Sequence, residues 1–383
     1  MRFLGALGLT ILFVSAATAQ TFSTRCQAEE VTTDVQTIDL RLIGCGEGFP
    51  DNLLWHLDRA DSLTGELDSF VTRTLTGKGA VVYMFDTGVM SSHDEFMRAD
   101  GSVVIGAVHP YGTGRGCPNG DDPALDPCYD SDAALFAYTH GTATASMVAG
   151  RNTGVAPDAK IVAVWGDTAA NDITSWIGTF DAIIKHAWDP ATPQFHTAII
   201  NMSFVPNYAS ANDPKFPRFE KKMREMIGGV DANGNPDPNG KRFLFTTIAG
   251  NLGQGPQCDS AGNSNLYPGV LGSSIDGLIT VGGIDETNHL WAGSCKGPAI
   301  DVLAPAANLF VASISGHDHY RSGIVPEGAV PGNSGTSYAA PFVAGIAALL
   351  LEKNPDYTPE QLETIIKATS TRVANADETT AGG

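Results

Sequence analysis

Three polar residues of the chain have the types and surroundings that nucleophilic chemistry requires. Asp86 follows the apolar run "VVYMF", His140 begins the small-residue stretch "HGTATASMVAG", and Ser337 lies within "NSGTSYAAPFVAG". A serine hydroxyl becomes a nucleophile when a base takes its proton and a third group orients that base. The three residues together therefore indicate a hydrolytic site, although each alone is typical of a turn, surface or capping residue.

Ser337 is predicted at the beginning of a helix, Ser337–Glu352, where backbone N–H groups have no intrahelical acceptor. These donors and the helix dipole favour negative charge. The N–H of Ser337 could therefore hold the oxyanion that forms when its hydroxyl attacks a carbonyl group. Pro341 is compatible with this helix if it lies in the first turn, where its missing N–H has little cost.

Apolar runs alternate with helical patterns along the chain, and the runs are continuously apolar, which is typical of strands covered on both faces. This alternation predicts an α/β fold, a doubly wound parallel sheet with helices on both faces in a single large domain. Such sheets place their sites at the carboxyl ends of the strands. The predicted strands are Ala80–Phe85, Lys160–Trp165, Thr197–Phe204, Arg242–Gly250 and Leu278–Ile284, and the other predicted helices are His140–Ala149, Ile173–Ala187, Pro217–Ile227 and one capped by Thr358.

Five stretches resemble the subtilisin-like serine protease family (peptidase S8), nearest in pattern to its proteinase K branch. They are "VVYMFDTGV", "HGTATASMVAG", "GVAPDAKIVAV", "TTIAGN" and "GTSYAAPFVAG", and the similarity runs from about Leu54 to Thr369. The chain order Asp, His, Ser is also that of this family. The resemblance implies that Ser337 is the nucleophile, His140 the general base and Asp86 the residue that orients the imidazole.

The resemblance also assigns an oxyanion donor and a substrate-binding strand. Asn251, which reads otherwise as a turn residue, matches the asparagine whose side-chain amide joins the Ser337 N–H. "INMSF" resembles the strand that pairs with an extended peptide, which makes Ser203, Phe204 and Val205 substrate-binding candidates. The chain departs from the family pattern at Val205, where glycine is usual, and a narrower specificity pocket follows from that change. Two further departures, Tyr338 for methionine and Phe342 for histidine, are expected to be tolerated.

The predicted function is that of a secreted serine endopeptidase that forms an acyl-enzyme on Ser337. Its partners would be polypeptide substrates, and the chemistry requires no cofactor. Two alternatives remain: a catalytically silent family member that acts as a binding protein, and an esterase with weak peptidase activity. The formal charge of −19 disfavours nucleic acid and anionic membranes as partners, and we expect a monomer.

A structural calcium ion is a further expectation from the resemblance. Asp301 would bind it together with the backbone carbonyl groups of Asp276 and Leu278. The acidic stretch "DANGNPDPNG" is more typical of a surface hairpin than of a calcium loop, because Arg242 stands where an EF-hand needs glutamate. The pair His317 and His319 is treated as a surface feature.

The N-terminus carries a predicted signal peptide, residues 1–19, with "ATA" as the cleavage pattern before Gln20. Residues 20–50 would be an N-terminal extension or short pro-segment, 51–370 the peptidase domain and 371–383 a flexible tail. The family usually carries a pro-segment of some 70 residues or more, so the short stretch here is a departure.

An exported chain is compatible with disulfide bonds. Neighbour pairing is the simplest of the 15 possible connectivities, with Cys117–Cys128 favoured most and Cys258–Cys295 near the catalytic residues. A metal site is disfavoured because the chain has no C-x-x-C pair. Asn201-Met202-Ser203 is a formal glycosylation sequon, but its position in a buried strand predicts that it stays unmodified. The six cysteines are Cys26, Cys45, Cys117, Cys128, Cys258 and Cys295.

Overall fold

A computed structural model of the chain describes ten stretches of residues. They are residues 21–23, 36–39, 54–61, 66–98, 105–108, 135–165, 173–203, 216–313, 319–322 and 333–373. The predicted signal peptide and most of the predicted extension lie outside these residues.

The centre of the described structure is a seven-stranded sheet in which every neighbouring pair is parallel. This is the predicted doubly wound α/β fold, and the fold prediction is confirmed. In spatial order the strands are β10 (Val302–Pro305), β9 (Leu278–Ile284), β8 (Arg242–Ile248), β7 (Thr197–Met202), β4 (Val81–Asp86), β6 (Lys160–Trp165) and β5 (Ile105–Val108).

The strand order reverses between β4 and β7. From β4 the chain first builds the sheet on one side, through β5 and β6, and then crosses to β7 and continues through β8, β9 and β10 on the other side. Such a switch point leaves a crevice at the carboxyl ends of the two strands. Asp86 ends β4 and Ser203 directly follows β7, so both residues lie at this crevice.

The central strands form where the sequence predicted them, because their side chains are buried on both faces of the sheet. Every residue of β4, β7 and β9 is buried. The two edge strands, β5 and β10, were not predicted. Both are only four residues long, and β10 ends in Pro305, which an edge strand tolerates because it pairs on one side only.

Five short strands form two small sheets besides the large one. β2 (Gln36–Asp39) pairs with β3 (Phe70–Arg73) in an antiparallel ribbon. β1 (Thr21–Ser23), β12 (His319–Ser322) and β11 (Phe310–Ala312) form an antiparallel sheet in that order.

Helices cover both faces of the large sheet. They are α1 (Trp55–Asp61), α2 (Leu135–Ala149), α3 (Ile173–Ala187), α4 (Phe216–Gly228), α5 (Thr336–Lys353) and α6 (Pro359–Thr369). One apolar core lies between the sheet and the helices α1, α2, α5 and α6, and the other lies between the sheet and α3 and α4. None of the helices in the described ranges combines the length and the apolar character that a bilayer crossing requires.

Two helix boundaries bear on the sequence predictions. α2 begins at Leu135, so His140 lies in its second turn and the prediction that His140 opens the helix was wrong. The five residues before it, "LFAYT", contain no helix breaker, and the small residues that follow had suggested too late a start. α6 confirms the predicted cap: Thr358 accepts from the Gln361 N–H, and the Gln361 side chain accepts from the Thr358 N–H.

A buried histidine on α1, His56, is expected to make the stability of the fold depend on pH. His56 has no exposed surface, and its Nε2 donates to the Thr153 carbonyl at 2.9 Å. Its Nδ1 has no hydrogen-bond partner within the described structure. Burial lowers the pKa of His56 to about 4, although the bond to Thr153 and the charge of Glu95 act in the opposite direction. The imidazole is therefore neutral in the folded protein.

Acidification is expected to destabilise the fold through His56. Below its ordinary pKa of about 6.5 the histidine binds a proton in the unfolded chain but not in the folded one, so stability falls as the pH drops from 6.5 towards 4. The full effect is about 3 kcal/mol. Urea unfolding at pH 7.0, 5.5 and 4.0 measures it, with His56→Gln as the comparison. If both proteins lose stability equally over this range, His56 is not the responsible group.

Candidate active site

Asp86 and His140 meet at the carboxyl end of β4. The His140 Nδ1 lies 2.8 Å from the Asp86 Oδ1, and Asp86 is fully buried while the His140 side chain is 32% exposed. Asp86 also accepts hydrogen bonds from the Thr87 N–H at 2.7 Å and the Thr144 hydroxyl at 3.1 Å. A carboxylate held in this way fixes the imidazole with Nδ1 protonated and leaves Nε2 available as a base.

The small residues after His140 let α2 approach the turn that carries Asp86. A Cβ on Gly141 would collide with the Gly88 carbonyl, so only glycine fits at this position. The Gly141 N–H donates to the Thr87 hydroxyl at 3.0 Å. The supporting role of Thr144 was not predicted from the sequence, but its position four residues after His140 places it on the same helix face.

Ser337 is the second residue of α5, and its N–H is free to bind an anion. The N–H before it, that of Thr336, donates to the Asn251 Oδ1 at 2.9 Å, and the N–H after it, that of Tyr338, donates to the Gly335 carbonyl at 3.0 Å. The Ser337 N–H between them has no acceptor among the described residues. Ser337 itself is only 8% exposed.

Pro341 is the sixth residue of α5 and not a first-turn residue, so the sequence interpretation of this proline was wrong. A residue here would normally donate its N–H to the carbonyl four residues earlier, which is that of Ser337. Proline has no N–H, so this carbonyl lacks a helical partner. The Ser203 hydroxyl donates to it instead, at 2.8 Å.

Asn251 is oriented by the beginning of α5. Its Oδ1 accepts from both the N–H and the hydroxyl of Thr336, at 2.9 and 3.1 Å. The Nδ2 must then point away from Thr336, and no hydrogen bond from it to another described residue is found. A Cβ built on Gly335 would lie 3.8 Å from this Nδ2 and 3.7 Å from the Ser337 nitrogen. Both free donors therefore line the same space, as an oxyanion hole requires.

The Ser337 hydroxyl donates to the Ser203 carbonyl at 3.1 Å. This bond places the hydroxyl at the end of β7, in the crevice where the strand order reverses. No hydrogen bond joins the Ser337 hydroxyl to the His140 imidazole in the described structure, so proton transfer between them would require the hydroxyl to leave the Ser203 carbonyl. Catalytic hydrogen bonds often tighten only when substrate is bound, so this resting position is compatible with a nucleophile.

A disulfide bond and several hydrogen bonds fix the loop that carries Asn251. Cys258 and Cys295 are joined, as the neighbour pairing predicted. The Cys295 N–H donates to the Gly250 carbonyl at 2.9 Å, and the Leu252 N–H donates to the Gly293 carbonyl at 2.8 Å. The Asn251 N–H is held by the Gln257 side chain at 2.8 Å. The other four cysteines, and the favoured pair Cys117–Cys128, lie outside the described residues.

Of the predicted substrate-binding residues, only Ser203 is described. It is buried, and both its carbonyl and its hydroxyl contact Ser337. Phe204 and Val205 lie outside the described residues, so their assignment stays a prediction. Tyr338 and Phe342 are buried in α5, and the expectation that these departures are tolerated stays a prediction.

The residues predicted to bind calcium do not fit such a site as they stand. The Asp301 Oδ1 lies 2.9 Å from the Lys367 ammonium nitrogen, and its Oδ2 accepts from the Thr280 N–H at 2.8 Å. A calcium ion shared with the carbonyl groups of Asp276 and Leu278 would have to displace Lys367. The described residues also contain no cluster of three or more acidic, histidine or cysteine side chains suited to a metal.

In the acidic loop that begins at Asp231, backbone N–H groups of the loop itself donate hydrogen bonds to the Asp231 carboxylate. Asp231 accepts from the Asn233 and Asn235 N–H groups, each at 2.8 Å, and Gly234 takes a positive φ of 77°. The stretch lies at the surface, and antiparallel bridges join Val230 to Pro236 and to Lys241, in agreement with the predicted surface hairpin. His317 lies outside the described residues, and His319 begins β12.

The electrostatics of His140 favour its charged form. Burial lowers the pKa of His140, but the charge of Asp86 and the hydrogen bond that His140 donates to it outweigh that effect and raise the pKa above its ordinary value of 6.5. The same carboxylate that orients the ring therefore stabilises the imidazolium ion that proton transfer would create.

The chain is similar in sequence to several known proteases. The chain is 31% identical over 330 residues to subtilisin-like protease 3 of Pseudogymnoascus destructans, covering 83% of this chain and 65% of that protein. It is 28% identical over 327 residues to an extracellular serine proteinase of Thermus sp. (84% and 63%) and 25% identical over 309 residues to subtilisin E of Bacillus subtilis (79% and 63%). It thus spans less than two thirds of the length of each of these relatives.

The structure is also similar to the crystal structure of a cold adapted subtilisin-like serine proteinase. The TM-score is 0.58 with 25% sequence identity, over 86% of this chain and 98% of the other. These similarities do not separate the proteinase K branch from other members, so that part of the resemblance stays a prediction. The model of the subtilase family, peptidase S8, matches residues 77–382. The chain therefore belongs to the subtilase family.

Proposed function

We propose that the protein is a serine endopeptidase whose nucleophile is Ser337. The observation that carries this proposal is the pair of free donors, the Ser337 N–H and the Asn251 Nδ2, which line one space at the beginning of α5. Donors arranged in this way stabilise the oxyanion of a tetrahedral intermediate, and one of them, the N–H, belongs to the residue that would attack.

The proposed reaction uses the side chains of Ser337, His140 and Asp86 in turn. The Ser337 hydroxyl turns from the Ser203 carbonyl to His140, gives its proton to Nε2 and bonds to the substrate carbonyl carbon. Asp86 stabilises the imidazolium ion without taking its proton. His140 then protonates the leaving amine, which breaks the peptide bond and leaves an ester on Ser337. Water, activated by the same histidine, hydrolyses the ester and restores the hydroxyl.

The substrate would be a polypeptide in extended conformation. The end of β7 borders the crevice, and main-chain pairing with an extended segment would place a scissile carbonyl near Ser337. Family membership supports a polypeptide substrate. We also propose that the protein is exported, which the predicted signal peptide and the disulfide Cys258–Cys295 support. A monomer with neither nucleic-acid nor membrane partners remains our working expectation.

The function is tested with a fluorophosphonate probe and two substrates. The probe should label the wild-type protein on one serine, and peptide mapping should identify it as Ser337. Turnover of a peptide amide and of the matching ester is then compared. Absence of labelling and of turnover would favour the binding-protein alternative, and ester turnover alone would favour an esterase.

The activity should depend on a neutral His140. Because Asp86 raises the pKa of His140 above 6.5, kcat/KM is expected to fall as the pH drops through that raised pKa. Asp86→Asn removes the charge, so its residual activity should persist to lower pH, although kcat falls about 10⁴-fold. The pH profiles of both proteins measure this shift. An acid limb below pH 6 in the wild type would contradict the assigned role of Asp86.

A further inference from the structure

The formal glycosylation sequon forms a buried contact next to the nucleophile. Asn201 and Ser203 are fully buried or nearly so, and the Asn201 Nδ2 donates to the Ser203 hydroxyl oxygen at 2.8 Å. The Asn201 Oδ1 accepts from the Thr246 hydroxyl at 3.1 Å, and Thr246 is also fully buried. The two side chains that define the sequon are therefore bonded to each other and not to solvent.

These hydrogen bonds continue in one series, in which each group donates to the next. The Thr246 hydroxyl donates to Asn201, Asn201 donates to Ser203, and the Ser203 hydroxyl donates to the Ser337 carbonyl at 2.8 Å. The reverse orientation of the Asn201 amide would require the single hydrogen of Ser203 to go to Asn201. The Ser337 carbonyl would then lose that donor, so the orientation of the amide follows from the network.

The chain ends at a carbonyl that the helix itself cannot satisfy. Pro341 has no N–H for the Ser337 carbonyl, and a buried carbonyl without a donor destabilises the folded state. Ser203 supplies the missing donor from outside the helix. It also accepts the Ser337 hydroxyl on its own carbonyl at 3.1 Å, so the two serines are bonded twice.

We propose that Asn201 and Thr246 are positioning residues for the nucleophile, which they hold through Ser203. Thr246 and Asn201 lie opposite each other on the adjacent central strands β8 and β7, so the chain of hydrogen bonds connects the main chain of Ser337 to two buried strands of the sheet. Neither side chain touches the substrate space. The inference deepens the proposed function, because it needs Ser337 to be the nucleophile.

The test is a double-mutant cycle on Ser203 and Thr246. Ser203→Ala removes the donor to Ser337, and Thr246→Val removes the first hydroxyl of the chain at nearly constant volume. Thr280→Val is the matched control: Thr280 is also a buried strand threonine, but its hydroxyl bonds to the Gly269 carbonyl at 2.7 Å. kcat, KM and the melting temperature are measured for the three single variants and for Ser203→Ala/Thr246→Val, on a peptide amide.

We expect kcat to fall roughly tenfold in Ser203→Ala and severalfold in Thr246→Val, with KM within about threefold. The double variant should match Ser203→Ala, because the upstream residue acts only through Ser203. Thr280→Val should lower the melting temperature as much as Thr246→Val while kcat stays within twofold. The proposal would be overturned if the kcat losses of the two single variants multiply in the double variant. Equal kcat values in Thr246→Val and Thr280→Val would also overturn it.

Failure of the proposed function gives a different result. If wild-type protein neither reacts with the fluorophosphonate nor turns over substrate, the nucleophile assignment is lost. If wild type is active and labelled on Ser337 but the cycle is additive, only the positioning role is wrong. Should Ser203→Ala fail to fold, the comparison of Thr246→Val with Thr280→Val still decides the role of Thr246.

Discussion

Replacing Ser337 with alanine is expected to remove nearly all peptide hydrolysis and leave the fold intact. The hydroxyl is the proposed nucleophile, and the residual rate should come only from substrate binding and the oxyanion donors, well below a thousandth of wild type. The substitution removes a single hydrogen bond, that to the Ser203 carbonyl, and keeps the Ser337 N–H and the helix start. The melting temperature should therefore change little.

The measurement is the steady-state rate on a peptide amide, together with thermal unfolding. Ser334→Ala is a suitable control, because Ser334 lies three residues earlier and its hydroxyl binds the Asn308 N–H at 2.9 Å. That variant should keep its turnover within tenfold of wild type. Hydrolysis by Ser337→Ala within tenfold of wild type would exclude Ser337 as the nucleophile.

Removing the side-chain amide of Asn251 is expected to lower kcat about 10²–10³-fold with KM nearly unchanged. The amide would bond the oxyanion and not the ground-state carbonyl, so its loss costs on the order of 3 kcal/mol in the transition state alone. Asn251→Ala removes both this donor and the acceptor that holds the Thr336 N–H.

Asn251→Asp separates the two roles of this residue. A carboxylate keeps the acceptor for the N–H and the hydroxyl of Thr336 but has no hydrogen to donate. If the donor matters, both variants lose kcat. If Asn251 only anchors Thr336, Asn251→Asp stays active and Asn251→Ala does not. A rise in KM with kcat intact would make Asn251 a substrate-binding residue.

The sequence predicted the centre of the fold better than its edges. Central strands such as β6 and β9 are apolar on both faces, and this burial makes their sequence signal continuous. The edge strands β5 and β10 have a covered neighbour on one side only and are too short to give such a signal. Helix α1 was not predicted either, because its seven residues are too few to give a clear helical pattern.

The site residues could be predicted by type, but their partners could not. Asp86, His140, Asn251 and Ser337 stand in stretches that resemble a known family, whereas the contact between Asn251 and Thr336 joins residues 85 positions apart. Pro341 shows the same limit. Its place in the helix is local, but the donor that replaces its N–H comes from Ser203, 134 positions before Ser337.

The ion pair between Asp301 and Lys367 has a consequence for how this part of the fold responds to its surroundings. A bound metal ion leaves when it is diluted or when a chelator competes for it, because its occupancy depends on its free concentration. The Lys367 ammonium group is attached to the chain, so neither dilution nor EDTA can remove it from Asp301. Its bonds to Asp301 outweigh the effect of burial and raise the pKa of Lys367, so the positive charge persists well into alkaline solution. Around Asp301, then, the fold should tolerate calcium-free media. It should weaken where strong alkali takes the proton from Lys367, and also where acid protonates Asp301, because burial raises the pKa of that carboxyl group.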